Sequence, residues 1–216
     1  MTKRVLMCFI GMVVTCIAVG FFKLAMFGVD PFQSLLAGLD HAIPVSFGTI
    51  SLTVNALILI FTFLADRHYI GLGTLFNLLV SGYIIEFSVK CLNKWIPDPS
   101  VGVRIFFLIL GIVVMCISGA VYITADLGVS SYDSVALIIS ETWKKGPFRF
   151  VRILCDLVCI LIGVGLFFLS GGKFSGIGAV VGVGTIVTAF FMGPLVSFFR
   201  THLAEPFLYG KKASSK

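Results

Sequence analysis

Apolar residues run almost unbroken through six stretches of the chain: Val5–Phe27, Phe47–Ala65, Gly73–Leu92, Ile105–Thr124, Phe150–Leu169 and Gly182–Phe199. Each is close to the roughly 20 residues an α-helix needs to cross about 30 Å of hydrocarbon. The runs are continuously apolar, whereas a membrane barrel needs apolar and polar positions to alternate. The pattern predicts an all-α membrane protein of about six transmembrane helices, with too little chain left over for a soluble catalytic domain.

Two shorter segments fall between spans. In the first, Gly28 breaks the preceding helix, Asp30 suits an N-cap and Pro31 the first helical position, so Phe32–Leu39 reads as a short helix before Asp40, His41 and Pro44. In the second, Gly128 precedes Ser130, with Asp133 at capping-box spacing. About ten residues cannot cross a bilayer, so both are expected to be re-entrant or interfacial. A re-entrant helix would aim its positive N-terminal end at a ligand or anion. The alternative is an amphipathic segment on the surface or plugging the bundle, with Asp30 and Asp133 already occupying that positive end.

The two patterns are copies. Shifting the chain by about 100 positions brings Gly11 onto Gly111, Cys16-Ile17 onto Cys116-Ile117, Gly28-Val29 onto Gly128-Val129 and Ser34 onto Ser134. A one-residue slip sets Asn55 against Asp156, and after an insertion Gly71-Leu72-Gly73-Thr74 meets Gly182-Val183-Gly184-Thr185. The expected division is a first three-helix repeat at 1–95, a linker at 96–103, a second repeat at 104–200 and a cytoplasmic basic tail at 201–216. Because 104–124 repeats it, the first segment is expected to be kept and not cleaved as a signal peptide. Three crossings per half make the second half enter from the opposite side, giving inverted repeats.

Charge agrees with that plan. Only 12% of the 216 residues are charged and the mean hydropathy is +1.09. With the N-terminus inside, eleven Lys and Arg fall on the inner side against five outside, the bias of a cytoplasmic (inner) membrane protein with both termini inside. The 28–46 loop has no Lys or Arg, while its counterpart at 128–149 carries Lys144, Lys145 and Arg149. Such scatter explains the net charge of +6 without a nucleic-acid partner. The bilayer is the expected partner. The six cysteines mostly lie within apolar runs, as small hydrophobes.

Polar groups inside spans narrow the candidate chemistry, since ionisable residues at membrane depth are costly and face a bundle interior or cavity. Asn55 and Asp156, as repeat equivalents, are expected to meet near the midplane as a ligand or proton site. Arg152, one turn before Asp156, offers an ion pair as the structural alternative. Glu86 is expected to pair with Lys23. Asp30, Ser130 and Asp133 at the short-helix starts complete the binding or coupling candidates. Gly71, Gly73, Thr74 and their copies Gly182, Gly184, Thr185 read as helix-packing motifs or, as the lesser reading, a cavity wall. No nucleophile, metal cluster, phosphate loop or cofactor fingerprint is present, so no enzyme, metal or cofactor is expected.

The residues Gly28-Val29-Asp30-Pro31-Phe32, Ser46-Phe47-Gly48-Thr49 and the helix around Asn55 resemble the bacterial YczE/YyaS/YitT family of integral membrane proteins. Leu127 through Asp133, Val151-Arg152-Ile153 and Gly193-Pro194-Leu195 look most like its YczE branch. The resemblance implies a bacterial membrane protein and supplies no substrate or catalytic residue. The longer YitT-type members carry a soluble C-terminal domain, which this chain is expected to lack. The expected function is a small transporter or permease that takes a small-molecule or ion ligand between its halves. A non-transport scaffold or regulator with a membrane partner, and a substrate-binding subunit like the S-components of vitamin transporters, are the alternatives. Small-residue patches in 171–184 would permit a homo-oligomer.

Overall fold

A computed structural model describes residues 2–209; Lys211, Lys212 and Lys216 of the expected basic tail lie outside the described residues. Every regular element among these is helical. The chain runs through α1 (Thr2–Ala25), α2 (Pro31–Ala42), α3 (Phe47–Ala65), α4 (Leu72–Trp95), α5 (Val101–Ala125), α6 (Ser131–Leu137), α7 (Phe148–Leu169), α8 (Val183–Phe199) and α9 (Glu205–Tyr209). A 3₁₀ turn at Arg67–Tyr69 leads into α4 and another at Phe174–Ala179 precedes α8. One π-helical turn extends α6 through Ile138–Thr142, and a second joins α8 to α9 at Arg200–Ala204. Six segments are long and apolar enough to cross a membrane: α1, α3, α4, α5, Phe150–Leu169 and Phe174–Met192.

The central pair is α1 against α5. A Cβ on Gly11 would stand 2.9 Å from the Tyr122 backbone nitrogen, so the bare glycine allows the crossing, and Thr15 Oγ1 and Ser118 Oγ bond across it at 2.8 Å. Lipid is as apolar as leucine, so close packing and interhelical hydrogen bonds hold such a crossing together. Helix α4 flanks α1 and α8 flanks α5.

The short helices cross over. Helix α2 packs on α7, and α6 packs on α3, so each leans on a span from the other half. Gly38 and Gly163 make the first contact, where a Cβ on Gly38 would lie 2.2 Å from the Gly163 carbonyl oxygen. Ser134 Oγ and Thr62 Oγ1 make the second at 2.6 Å.

The chain breaks before α2 and α6 are built alike. Gly28 and Gly128 have φ of 94° and 107°, which suit only glycine. Each break is bonded to the start of a late helix in the other half. Gly28 N–H donates to the Gly178 carbonyl and Gly184 N–H to the Phe27 carbonyl, both at 2.7 Å. In the matching place, Gly73 N–H donates to the Leu127 carbonyl at 2.7 Å and Val129 N–H to the Tyr69 carbonyl at 3.4 Å. Thr74 and Thr185 take the N–H of Gly71 and Gly182, each at 3.2 Å. The GxGT motifs are therefore docking points for backbone as well as helix starts.

Candidate functional site

The first turns of the two short helices meet inside the bundle. Asp30 caps α2 by accepting the Gln33 N–H at 3.2 Å. Ser130 caps α6 by accepting the Asp133 N–H at 3.1 Å, and donates its hydroxyl to Asp133 Oδ2 at 2.7 Å. Between these caps the rings of Phe32 and Tyr132 lie face to face, with centroids 4.8 Å apart.

Helix α7 brings Arg152 and Asp156 to the same point from one face, four residues apart. Tyr132 donates its hydroxyl to Asp156 Oδ1 at 2.5 Å, and Arg152 Nε approaches the same oxygen at 3.3 Å. Arg152 also donates to Asp133 Oδ1. Its guanidinium lies 4.4 Å from the Tyr132 ring centroid, completing a cation–π contact. One planar fork thus serves two carboxylates, a task its geometry suits and a lysine's does not. Asp156 is only 8% exposed. With Arg152 removed, two carboxylates would face each other with no cation between them.

A cavity of about 540 Å³ lies against this cluster, lined by Tyr69, Tyr122, Asp126, Asp133, Glu141 and Arg200 among others. Asp133 belongs to both the cavity wall and the ion cluster. The equivalent positions of the first half are sealed: Phe22, which aligns with Tyr122, is 1% exposed, and Val29 and Val180 are buried beside the other chain break.

The expected partners are partly rearranged. Asn55 is buried, but it donates to the Ser51 carbonyl of its own helix at 2.8 Å and forms no hydrogen bond with Asp156 among the described residues. Each of their helices is instead covered by a short helix of the other half. The Arg152–Asp156 pair is present as the i, i+4 spacing allows. Glu86 pairs with Lys90 at 2.6 Å and accepts the Gly48 N–H at 3.0 Å, not the expected Lys23. The Lys23 ammonium lies 3.2 Å from the Phe47 ring centroid. Both still border one smaller cavity of about 300 Å³ with Asp40 and Ser46. The nearer cation wins Glu86 because Lys90 is one turn along the same helix.

Tyr132, Phe32 and Gln33 are the site residues that sequence reasoning passes over. The signal for Tyr132 was a hydroxyl-bearing aromatic directly before Asp133, at the repeat position of Phe32.

This architecture defines a multi-pass helical membrane protein with a partly buried ion cluster. The chain belongs to the family of unknown function DUF6198, whose model matches residues 2–201. It is 28% identical over 173 residues to an uncharacterized membrane protein, YczE, of Bacillus subtilis (strain 168), covering 79% of this chain and 73% of the relative. It is also 29% identical over 136 residues to an uncharacterized protein of Haemophilus influenzae (strain ATCC 51907 / DSM 11121 / KW20 / Rd), covering 63% of this chain and 56% of that one. The YczE match agrees with the resemblance carried by the glycine motifs. No solved structure matches.

Proposed function

We propose that the protein is a small-solute permease of the bacterial inner membrane, built from two inverted repeats. Its binding region lies where α2 and α6 begin, and the cavity beside Asp133 is the approach to it. The observation that carries this reading is the unequal packing of two equivalent positions: Tyr122 borders open space, while Phe22 is sealed in the core. Related halves that packed identically would be open at both ends or closed at both. A larger cavity at one end, beside Tyr122, with the counterpart position sealed by Phe22 under the smaller cavity at the other, is what alternating access asks of a single state.

The crossed docking supports the inversion. The Gly28 break bonds the start of α8 and the Gly128 break the start of α4, as a two-fold relation between opposed halves would give. The stacked Phe32 and Tyr132 support re-entrant short helices, because surface helices on opposite faces would not meet.

Labelling of single cysteines tests the proposal, in a reconstituted full chain whose native cysteines are replaced by alanine or serine. Tyr122→Cys should react with an impermeant thiol reagent from one side only, and Phe22→Cys from neither side. Solutes screened as amino acids, organic acids, amines and sugars should include one that enters proteoliposomes saturably, protects Tyr122→Cys and opens Phe22→Cys to the opposite side. No saturable uptake across the panel, with labelling at both positions indifferent to every solute, would sink the permease reading in favour of a scaffold.

A further inference from the structure

Three carboxylates gather where the short helices begin, and they are not equally provided for. Asp133 and Asp156 both pair with Arg152. Asp30 lies near enough to Arg152 and Asp156 to feel their charge, yet among the described residues it forms no ion pair. Its visible partner is the Gln33 backbone N–H. The charged and titratable groups facing it are Lys23 from α1, and Arg152, Asp156 and Cys159 from α7. Lys23 rests on the Phe47 ring and Arg152 is shared by two other acids.

A second observation stands on the same helical turn. Gln33 is 8% exposed, and its Oε1 accepts no hydrogen bond from the described residues. A buried acceptor without a donor is costly, as is a carboxylate away from bulk water without a counter-ion. One proton relieves both. On Asp30 it neutralises the charge and adds an O–H donor one helical turn before Gln33, whose backbone N–H the other carboxyl oxygen still accepts. Asp30 is half-buried, at the chain break that leads into α2.

We infer that Asp30, with Gln33 as the acceptor for its acid form, is the proton-binding group of this protein and couples solute movement to a proton gradient. The coupling rests on the permease reading; the proton site does not. The step is simple: one O–H bond forms on Asp30 with a proton taken from water on one side, and breaks with its release to water on the other. Asp156, the coupling candidate by sequence, is already held by Tyr132 and Arg152.

Infrared difference spectroscopy of the reconstituted full chain tests the site. As pH falls from about 8 to about 6, above the range in which ordinary carboxylates protonate, a carboxylic-acid C=O band should grow in the wild type, remain in Asp156→Asn and vanish in Asp30→Asn. Asparagine and serine cap helices about as well as aspartate, so Asp30→Ser gives the same reading if Asp30→Asn folds poorly. Gln33→Leu should keep the band but move its midpoint about one pH unit to acid, the worth of one hydrogen bond. A band untouched in both Asp30 variants, or absent from the wild type, overturns the site. In proteoliposomes, an imposed pH gradient should raise uptake of a transported solute several-fold, and this rise should be absent in Asp30→Asn. Uptake indifferent to the gradient, with the Asp30 band intact, overturns the coupling and leaves the permease. An intact band with no solute moved overturns the permease reading and leaves the proton site.

Discussion

Phe32 and Tyr132 stack nearly parallel, 14° between ring planes, although they occupy the same place in two different halves of the chain. The stack marks the point where the halves face each other, and it braces the hydroxyl that Asp156 accepts. Double-mutant cycles of Phe32→Leu and Tyr132→Leu, followed by unfolding in mixed micelles, should give a coupling energy of about 0.5–1.5 kcal/mol. A coupling near zero would mean the rings merely adjoin.

Arg152 holds the ion cluster together. Arg152→Leu should destabilise by about 3 kcal/mol, because it strands the buried Asp156 and leaves Asp133, half-buried at the cavity wall, without its cation. The triple variant Arg152→Leu, Asp133→Asn, Asp156→Asn should recover most of that loss. Arg152→Lys should recover little, since one ammonium cannot fork between both acids. Thermal melts in a single detergent compare all three.

Glycines of similar sequence context should respond very differently. Ala at Gly163 would put its Cβ 2.3 Å from the Ser34 carbonyl oxygen, and backbone on both sides leaves nothing to swing away. We expect a loss of about 3 kcal/mol or more, read as a collapsed yield of monodisperse protein. Two residues on, a Cβ at Gly165 would meet nothing within 4 Å among the described residues, so Gly165→Ala should be neutral or gain up to about 1 kcal/mol in helix propensity.

Thr74 donates its hydroxyl to the Val129 carbonyl at 2.7 Å, tying the start of α4 to the chain break before α6. Thr74→Val keeps the shape and removes that bond, for an expected loss of about 1 kcal/mol. Hydrogen exchange should quicken at Gly71, whose N–H bonds the same hydroxyl. Unchanged exchange there would show that the threonine is not the clasp.

Asp66 gives a pH dependence at the solvent end of α3. The His68 backbone N–H donates to it at 3.0 Å and the Thr142 hydroxyl at 2.8 Å, and these bonds hold its carboxyl below its ordinary value of 3.8. A depressed folded-state value means the stabilisation is present above the ordinary value and lost as pH falls through the lower one. Amide exchange at His68 should therefore rise in acid, below roughly pH 4. Asp66→Asn should abolish that pH dependence while keeping the turn capped.

The spans, both helix caps and the chain breaks could be read from the sequence because each depends on local chemistry. Twenty apolar residues announce a crossing wherever they pack, and Asp30-Pro31 or Ser130 with Asp133 form caps from neighbouring atoms. Partner choice was harder, because it depends on how far each helix is rotated about its axis. Asn55 and Asp156 align when the sequence is shifted on itself, yet each bonds within its own surroundings. Glu86–Lys90 was available in the i, i+4 spacing, one turn along the same helix, whereas the expected Lys23 lies on another helix. The cavity and the sealed positions opposite it had no signal, since Tyr122 and Phe22 differ by one hydroxyl and both read as apolar span residues.

The crossed docking also sets an order of events during synthesis. Phe27 and Gly28 emerge early, but their backbone partners, Gly184 and Gly178, lie about 150 residues further along the chain. At roughly 5–20 residues per second, the first break must wait on the order of ten seconds with its peptide groups unpaired. The second break needs no such wait, because Tyr69 and Gly73 precede it into the membrane. An unpaired peptide group costs several kcal/mol in hydrocarbon, so the nascent first half must keep that break near water or in the keeping of the insertion machinery. Only the arrival of the last span lets it settle.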